Sequence, residues 1–312
     1  MVAYNRCTRA AADVSGGVAL DDRYAEAHAT LSFVLASAGE REAARHAALR
    51  AVAIEPDDWM HQFRLGNATW GADRLDALAR ALERYPDFPF AQFQRAMVYV
   101  ARGAAETAAA ALEEGLRAEQ RHDGARRRFP ASGLQWLLGM IALSRGDAED
   151  AIQAFESEIA SGRDHLHSAE FELGARLGLG FAWLATGRPT DAAASFEPLA
   201  AGDGSGRALL GLALSYRQLG NRDAASRALA AVSRVTAMQR RAGRGEHAQM
   251  LDAAALVAGG DEEQALALLA SAVAAASPGP FGWTLPIDPV FAPLRDRPEL
   301  IRVLAAIASR AE

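Results

Sequence analysis

Residues 132–159 read SGLQWLLGMIALSRGDAEDAIQAFESEI, and this stretch decides the fold because its pattern recurs along almost the whole chain. It is typical of two short amphipathic helices joined by a tight turn. Gly146 favours the turn, since helices often end with a residue at positive φ, which glycine adopts without a Cβ clash. We expect Asp147 to cap the second helix by accepting from its free N–H groups.

The turn glycine returns six times, each time with an alanine five residues later and a small residue seven residues earlier. The glycines are Gly39, Gly103, Gly146, Gly187, Gly220 and Gly260; the alanines are Ala44, Ala108, Ala151, Ala192, Ala225 and Ala265; the small residues are Ser32, Ala96, Gly139, Gly180, Ala213 and Ala253. Only 27 of the 312 residues are glycine, so the glycine content alone does not explain why a glycine recurs six times at this position of the pattern. The pairing of small residues predicts that two helices cross closely in every copy.

This pattern resembles the tetratricopeptide repeat. The first full copy, residues 25–58, is 34 residues long, as the family requires. It carries the signature positions Leu31, Ser32, Leu35, Gly39, Ala44, Ala51 and Pro56. It departs from the family at His28 and Ala48, where tryptophan and phenylalanine are preferred. The resemblance implies an all-α, right-handed superhelical solenoid of about seven helix-turn-helix repeats.

We expect a repeat solenoid over residues 1–275 and a C-terminal cap over residues 276–312. The repeats are placed near residues 25–58, 59–87, 89–118, 132–162, 173–201, 206–233 and 246–275. Residues 9–20 read as half a repeat. The second copy has no turn glycine, and its second helix is expected to be short. A solenoid needs terminal caps because each unit buries its apolar face only against its neighbours.

The predicted cap begins after a turn-rich connection, SPGPFGW, at residues 277–283. Asp296 is expected to cap a last helix with Pro298 in its first turn. The side chains expected to dock this cap are Phe291, Leu294, Leu300 and Leu304. Its ending resembles the tail of tetratricopeptide arrays on bacterial signalling proteins, through Asp288, Pro289, Phe291, Pro293, Leu294 and Arg295.

The net charge, the cysteine content and the length of the apolar runs each argue against particular classes of function. The net charge is −6 with a pI near 5.7, and all 33 basic residues are arginine. This balance argues against a nucleic-acid partner, since duplex binders usually present a strongly basic face. Cys7 is the single cysteine, which excludes an intrachain disulfide and fits a reducing compartment. No run approaches about 18 apolar residues, so we expect a cytoplasmic protein without a membrane partner.

Repeat phase predicts which side chains line the concave groove. The predicted groove residues are Phe33, Phe63, Arg64, Asn67, Phe93, Gln94, Met97, Trp136, Met140, Phe181 and Arg217. A groove that is apolar in the middle and polar at its ends suits a protein or peptide partner with apolar anchors. Two alternatives stay open. The aromatic residues are ordinary core, or the C-terminal segment of the chain or a second copy fills the groove.

Two connections concentrate arginine, whose guanidinium suits bidentate contact with carboxylate or phosphate. The first holds Arg121, Arg126, Arg127 and Arg128 and is our predicted anion-docking site; the second holds Arg234, Arg240, Arg241 and Arg244. The alternative is that each is a solvated loop.

Evidence for catalysis is sparse, so we expect a non-enzymatic scaffold with no catalytic residues, metal or cofactor. Asp164, His165 and His167, followed by Glu170, have the residue types of a metal site. A metal-dependent or other enzyme with its site in this 164–170 loop is therefore one alternative function. The sequence has no Walker phosphate loop, G-x-S-x-G elbow or H-E-x-x-H motif. A self-associating structural element, forming a homo-oligomer, is the other alternative.

Overall fold

The computed structural model describes residues 22–121, 132–161, 168–201 and 205–312, and in these ranges every regular element is a helix. Seven helix pairs follow one another: α1 Ala25–Ala38 and α2 Arg41–Ile54; α3 Trp59–Ala68 and α4 Gly71–Arg84; α5 Pro89–Ala101 and α6 Ala105–Arg121; α7 Leu134–Arg145 and α8 Ala148–Ala160; α9 Ser168–Ala185 and α10 Pro189–Ala200; α11 Gly206–Gln218 and α12 Arg222–Arg241; α13 Gly245–Gly259 and α14 Glu262–Ala275. Two 3₁₀ helices, Leu285–Ile287 and Pro289–Leu294, lead to α15, Pro298–Ser309. The fold is an all-α, right-handed solenoid of stacked helix hairpins, as predicted.

The six turn glycines lie in the left-handed region, so their predicted role is confirmed. Their φ values are 86° at Gly39, 73° at Gly103, 92° at Gly146, 71° at Gly187, 74° at Gly220 and 92° at Gly260. A Cβ added at Gly146 would meet nothing within 4 Å. Glycine is therefore required there by backbone conformation and not by space.

The close helix crossings are also confirmed. The alanine after each turn is buried, and so is each small residue before it. Phe155 of α8 fills a niche between two glycines: a Cβ at Gly139 would lie 2.6 Å from its Cε1, and one at Gly178 2.4 Å from its Cζ. Phe196 repeats this arrangement one unit later, against Gly180 and Gly211. The ring fits because the glycines on the neighbouring first helices carry no side chain.

The second repeat differs from its expected form. The shortened helix is α3, with 10 residues, while α4 has 14 and matches α2 in length. The prediction of a short second helix was therefore wrong. The turn uses Gly71, with φ 64°, which follows Trp70 at the start of α4.

Two predicted helix caps were wrong. Asp147 occupies the N-cap position of α8, but its side chain makes no capping hydrogen bond. The N-cap of α15 is Arg297, not Asp296, although Pro298 lies in the first turn as expected. Asp58 instead caps α3, accepting from the backbone N–H of Met60 at 2.7 Å and of His61 at 3.3 Å.

The C-terminal segment, residues 276–312, turns back across the inside of the superhelix. The 3₁₀ helix Leu285–Ile287 contacts α5 and α7, and the 3₁₀ helix Pro289–Leu294 contacts α7 and α13. Helix α15 packs on α14 and also touches α5. The segment buries Leu285, Ile287, Val290, Phe291 and Leu294. It thus joins the last repeat to the third and fourth, which simple stacking would leave apart.

On length and hydropathy, none of the helices in the described ranges could span a lipid bilayer.

Candidate partner-binding groove

The C-terminal segment packs on first helices through its two 3₁₀ helices, and we call the face formed by the first helices α1, α3, α5, α7, α9, α11 and α13 the groove. Its centre holds four aromatic rings, defined here as the aromatic cluster: Phe93, Trp136, Phe171 and Trp283. The Phe93 and Phe171 centroids are 5.3 Å apart at 75°, and Trp136 lies 5.8 Å from Phe171. Trp283 of the C-terminal segment meets Trp136 edge to face at 6.4 Å. Rings in this geometry attract each other beyond their area burial.

The predicted groove residues at the N-terminal end form polar and cation–π contacts. The Arg64 guanidinium lies 4.3 Å above the Phe33 ring. Gln94 Nε2 donates to Asn67 Oδ1 at 3.1 Å, which links α5 to α3. Burial lowers the pKa of Arg64, with Glu26 acting in the opposite direction. This end therefore combines an aromatic surface with a fixed positive charge.

Several predicted groove residues are largely withdrawn from solvent. Phe93 is 8% exposed, Met140 7% and Phe181 4%, whereas Met97 and Trp136 are half-buried. Partner contact through any of them stays a prediction.

The remaining two predicted groove residues contact other structural elements. Phe63 packs edge to face on Phe88, with centroids 4.7 Å apart, in a separate aromatic group near α4. Arg217 is exposed and donates through Nη1 to the Ala258 carbonyl. For these two as well, partner contact stays a prediction.

Arginines anchor the C-terminal segment to the groove at several points. Arg207 Nη1 and Nη2 donate to Asp288 Oδ2 and Oδ1 at 2.8 Å and 3.0 Å, and Asp288 also accepts from the Val290 N–H at 3.0 Å. Further along, Arg102 Nε donates to the Ala311 carbonyl at 2.8 Å. These are charge-assisted bonds, which are roughly twice as strong as neutral ones.

Arg295 provides another anchor in the same segment. It donates through Nη1 to the Ser144 carbonyl at the end of α7. Burial lowers the pKa of Arg295, while the negative charge of Asp288 opposes that shift. An arginine placed at a helix C-terminus also interacts favourably with the helix dipole.

The predicted anion-docking group is only partly described. Arg121 donates to Asp87 Oδ1 at 2.8 Å and to Glu114 Oε1 at 3.0 Å, and hydrogen bonds to Glu114 and Asp87 raise its pKa. Its charge is therefore shared between two carboxylates of the protein itself. Residues 126–128 lie outside the described residues. Anion docking at these arginines stays a prediction.

Three of the four arginines in the second group lie in a helix, and Arg244 lies in the short connection before α13. Arg234, Arg240 and Arg241 belong to α12, which continues to Arg241, so the expectation that they lie in a connection was wrong. Arg240 pairs with Asp252 of α13.

Residues 162–167, which hold the predicted metal-binding aspartate and histidines, lie outside the described residues. In the described ranges Glu55, Asp58 and His61 place ligand-type atoms within 4.8 Å of one another. Asp58 is already occupied as the cap of α3, and His61 Nε2 lies 3.1 Å from Glu55 Oε2. These contacts account for the group without an ion.

Two sequence profiles of the tetratricopeptide repeat family match the chain, over residues 116–165 and 207–234. The first match covers the hairpin of α7 and α8 with its flanks, and the second covers α11 and most of α12. The chain contains tetratricopeptide repeats. The turns at Gly146 and Gly220, with the buried alanines Ala151 and Ala225, fall within these two matches.

Solved structures share this fold at low sequence identity. PilW, a type IV pilus biogenesis factor, is 14% identical, with a TM-score of 0.55 over 67% of this chain and 91% of PilW. PilF of Pseudomonas aeruginosa is 17% identical, with a TM-score of 0.54 over 69% of this chain and 92% of PilF. A tetratricopeptide repeat protein from Parabacteroides merdae is 15% identical, with a TM-score of 0.51 over 84% of this chain and 98% of that protein. No curated protein gave a significant sequence match.

Sequence reasoning on this tetratricopeptide repeat array missed two members of the aromatic cluster. Trp283 lies in the stretch treated as a turn-rich connection, and Phe171 follows the loop considered for metal binding. Repeat phase could not find Trp283, because the C-terminal segment lies outside the repeat pattern. The sequence did offer one signal for Trp283: it ends a stretch with two glycines and two prolines. Such a stretch does not form a helix, so a large apolar ring in it has to pack against another part of the protein.

Proposed function

We infer that this protein is a non-enzymatic scaffold that binds a protein or peptide partner in its concave groove. One observation carries the inference: the groove already holds a proline-containing stretch of its own chain, built of turns and two short 3₁₀ helices. Residues 278–295 lie against it through the Trp136–Trp283 contact and the Arg207–Asp288 pair, and the bond from Arg41 Nη1 to the Pro278 carbonyl at 2.9 Å ties the start of this stretch to α2. Aromatic anchors with a few charge-assisted bonds are what peptide recognition uses.

The partner then competes with the C-terminal segment for the aromatic cluster. Affinity for such a partner is reduced by the fraction of molecules in which the segment occupies the groove. The pilus proteins are similar in fold only, so they do not name this partner. The resemblance of the chain's ending to arrays on bacterial signalling proteins favours a partner in a signalling or assembly complex.

The experiment is capture from the native host by immobilised protein, with bound proteins quantified against three variants. Trp136→Ala removes a half-buried ring of the groove and should lose the partner. Trp283→Ala removes the competing ring and should raise the amount captured. Leu49→Ala changes an exposed apolar residue on α2 and serves as the control. Identical captured proteins from all four forms, with circular dichroism unchanged, would refute groove binding.

A further inference from the structure

A cavity of about 530 Å³ lies between the first two repeats and the C-terminal segment. Its walls are α1, α2 and the end of α3 with the start of α4, and residues 278–280 close one side. The charged side chains that line it are Arg41, Arg45, Arg74, Arg310, Glu42 and Asp73. Four guanidinium groups against two carboxylates give a formal charge of +2, on a chain whose net charge is −6. The cavity is therefore a local reversal of the protein's overall charge.

Arg74 is the deepest of these cations, with only 6% of its surface exposed. Its Nε donates to the Gly66 and Thr69 carbonyls at 2.8 Å and 2.9 Å, and its guanidinium lies 4.8 Å from the Trp70 ring centroid. Its Nη2 donates to the Asn67 carbonyl at 3.2 Å, so all of these hydrogen-bond partners are uncharged backbone carbonyls. In the described ranges no carboxylate pairs with Arg74. Buried charges are normally paired, so its lack of a counterion indicates a place for an anion.

Among the neighbouring arginines, Arg41 adds to this uncompensated charge, whereas Arg45 is paired with Asp73. Burial, and secondly the positive charge of Arg41, lower the pKa of Arg74 to about 9, so the guanidinium stays charged at neutral pH. Arg41 is held by the neutral Pro278 carbonyl, and Arg45 Nη2 lies 3.6 Å from Asp73 Oδ2. An anion among these groups would replace mutual repulsion with attraction.

We propose that this cavity binds a small dianion, an organic phosphate or a dicarboxylate, through Arg41, Arg45 and Arg74. Guanidinium forks match the paired oxygens of both groups. The volume lies within the range of small-molecule sites. Trp70 and Phe33 also line the cavity and provide apolar surface for the carbon skeleton of the ligand. The site lies at the N-terminal end of the array, away from the aromatic cluster, and it shares Phe33 with the predicted groove and residues 278–280 with the C-terminal segment.

Isothermal titration calorimetry at low ionic strength tests the proposal, with inorganic phosphate in one arm and succinate in the other. We expect 1:1 binding of at least one anion, and the arm that binds identifies the phosphate or the dicarboxylate class. Arg45→Gln should weaken it about tenfold, as the loss of one charge-assisted contact does. This variant is preferred to Arg41→Gln, which would also release Pro278. Arg80→Gln, on the exposed face of α4, is the matched control and should bind like the wild type.

A second variant gives the opposite sign and cannot be explained by misfolding. Glu42 is an exposed carboxylate in the lining, so Glu42→Gln should tighten anion binding about twofold to fivefold. The proposal is overturned if neither anion binds the wild type. It is also overturned if the affinity is the same in the wild type, Arg45→Gln and Glu42→Gln.

Discussion

Arg207 and Asp288 form a bidentate ion pair across 81 positions of sequence, and the Asp288 side chain is 8% exposed. Arg207 also lies 5.3 Å from the Phe181 ring centroid, so one side chain joins α11, α9 and the C-terminal segment. The pair fixes where the segment crosses the inside of the superhelix. It is a tertiary contact that connects the sixth repeat to a stretch outside the repeats.

Asp288→Asn should reduce the free energy of unfolding by about 2 to 3 kcal/mol, because it leaves a partly buried guanidinium without its counterion. Urea denaturation measures this loss. Asp191→Asn breaks the exposed Arg188–Asp191 pair and should cost about 0.5 kcal/mol or less. Equal losses in the two variants would mean that the Arg207–Asp288 pair behaves as a surface contact.

Gly139→Ala should destabilise the protein by about 1 to 3 kcal/mol, because the added Cβ would lie 2.6 Å from the buried ring of Phe155. Gly259→Ala is the control: this helical glycine has nothing within 4 Å of an added Cβ. Alanine there should be neutral or stabilise by up to about 1 kcal/mol. Thermal unfolding of the two variants tests whether position 139 requires glycine because the Phe155 ring leaves no room for a Cβ atom.

Glu158→Gln should lower the melting temperature. The buried carboxylate of Glu158, on α8, accepts from the backbone N–H of Gly133 at 2.8 Å and of Trp136 at 3.2 Å, so it caps α7 from the partner helix. An amide keeps one acceptor but loses the charge that favours a helix N-terminus, at a cost of about 1 kcal/mol. Glu156→Gln, exposed on the same helix, should leave the melting temperature unchanged.

Trp283→Ala should speed backbone hydrogen exchange in residues 285–294 by about tenfold or more, since a loss of about 1.4 kcal/mol corresponds to a factor of 10. The ring of Trp283 is what holds this stretch to Trp136. Mass spectrometry of peptides from the C-terminal segment measures the rate. Met238→Ala, an exposed residue on α12, is the control. Unchanged protection in Trp283→Ala would assign the anchoring to the arginines alone.

The sequence by itself determined the repeat and its internal packing. Gly146, Ala151 and Gly139 stand at fixed separations because a helix hairpin is a local object, and the contacts that shape it lie within one unit or its neighbour. Gly146 is required for its positive φ and Gly139 for the space that its missing side chain leaves. In both cases the glycine itself indicates the requirement in the sequence. The turns and the small-residue crossings could therefore be placed without coordinates.

Only the tertiary structure decided what fills the groove. Arg41 meets Pro278 across 237 positions, and Arg102 meets Ala311 across 209. Such contacts depend on a small rotation per repeat that accumulates over seven hairpins until the array curves around its own C-terminal segment. The spacing of residues within one repeat does not indicate this accumulated rotation. The aromatic cluster and the arginine-lined cavity could therefore be identified only from the tertiary structure.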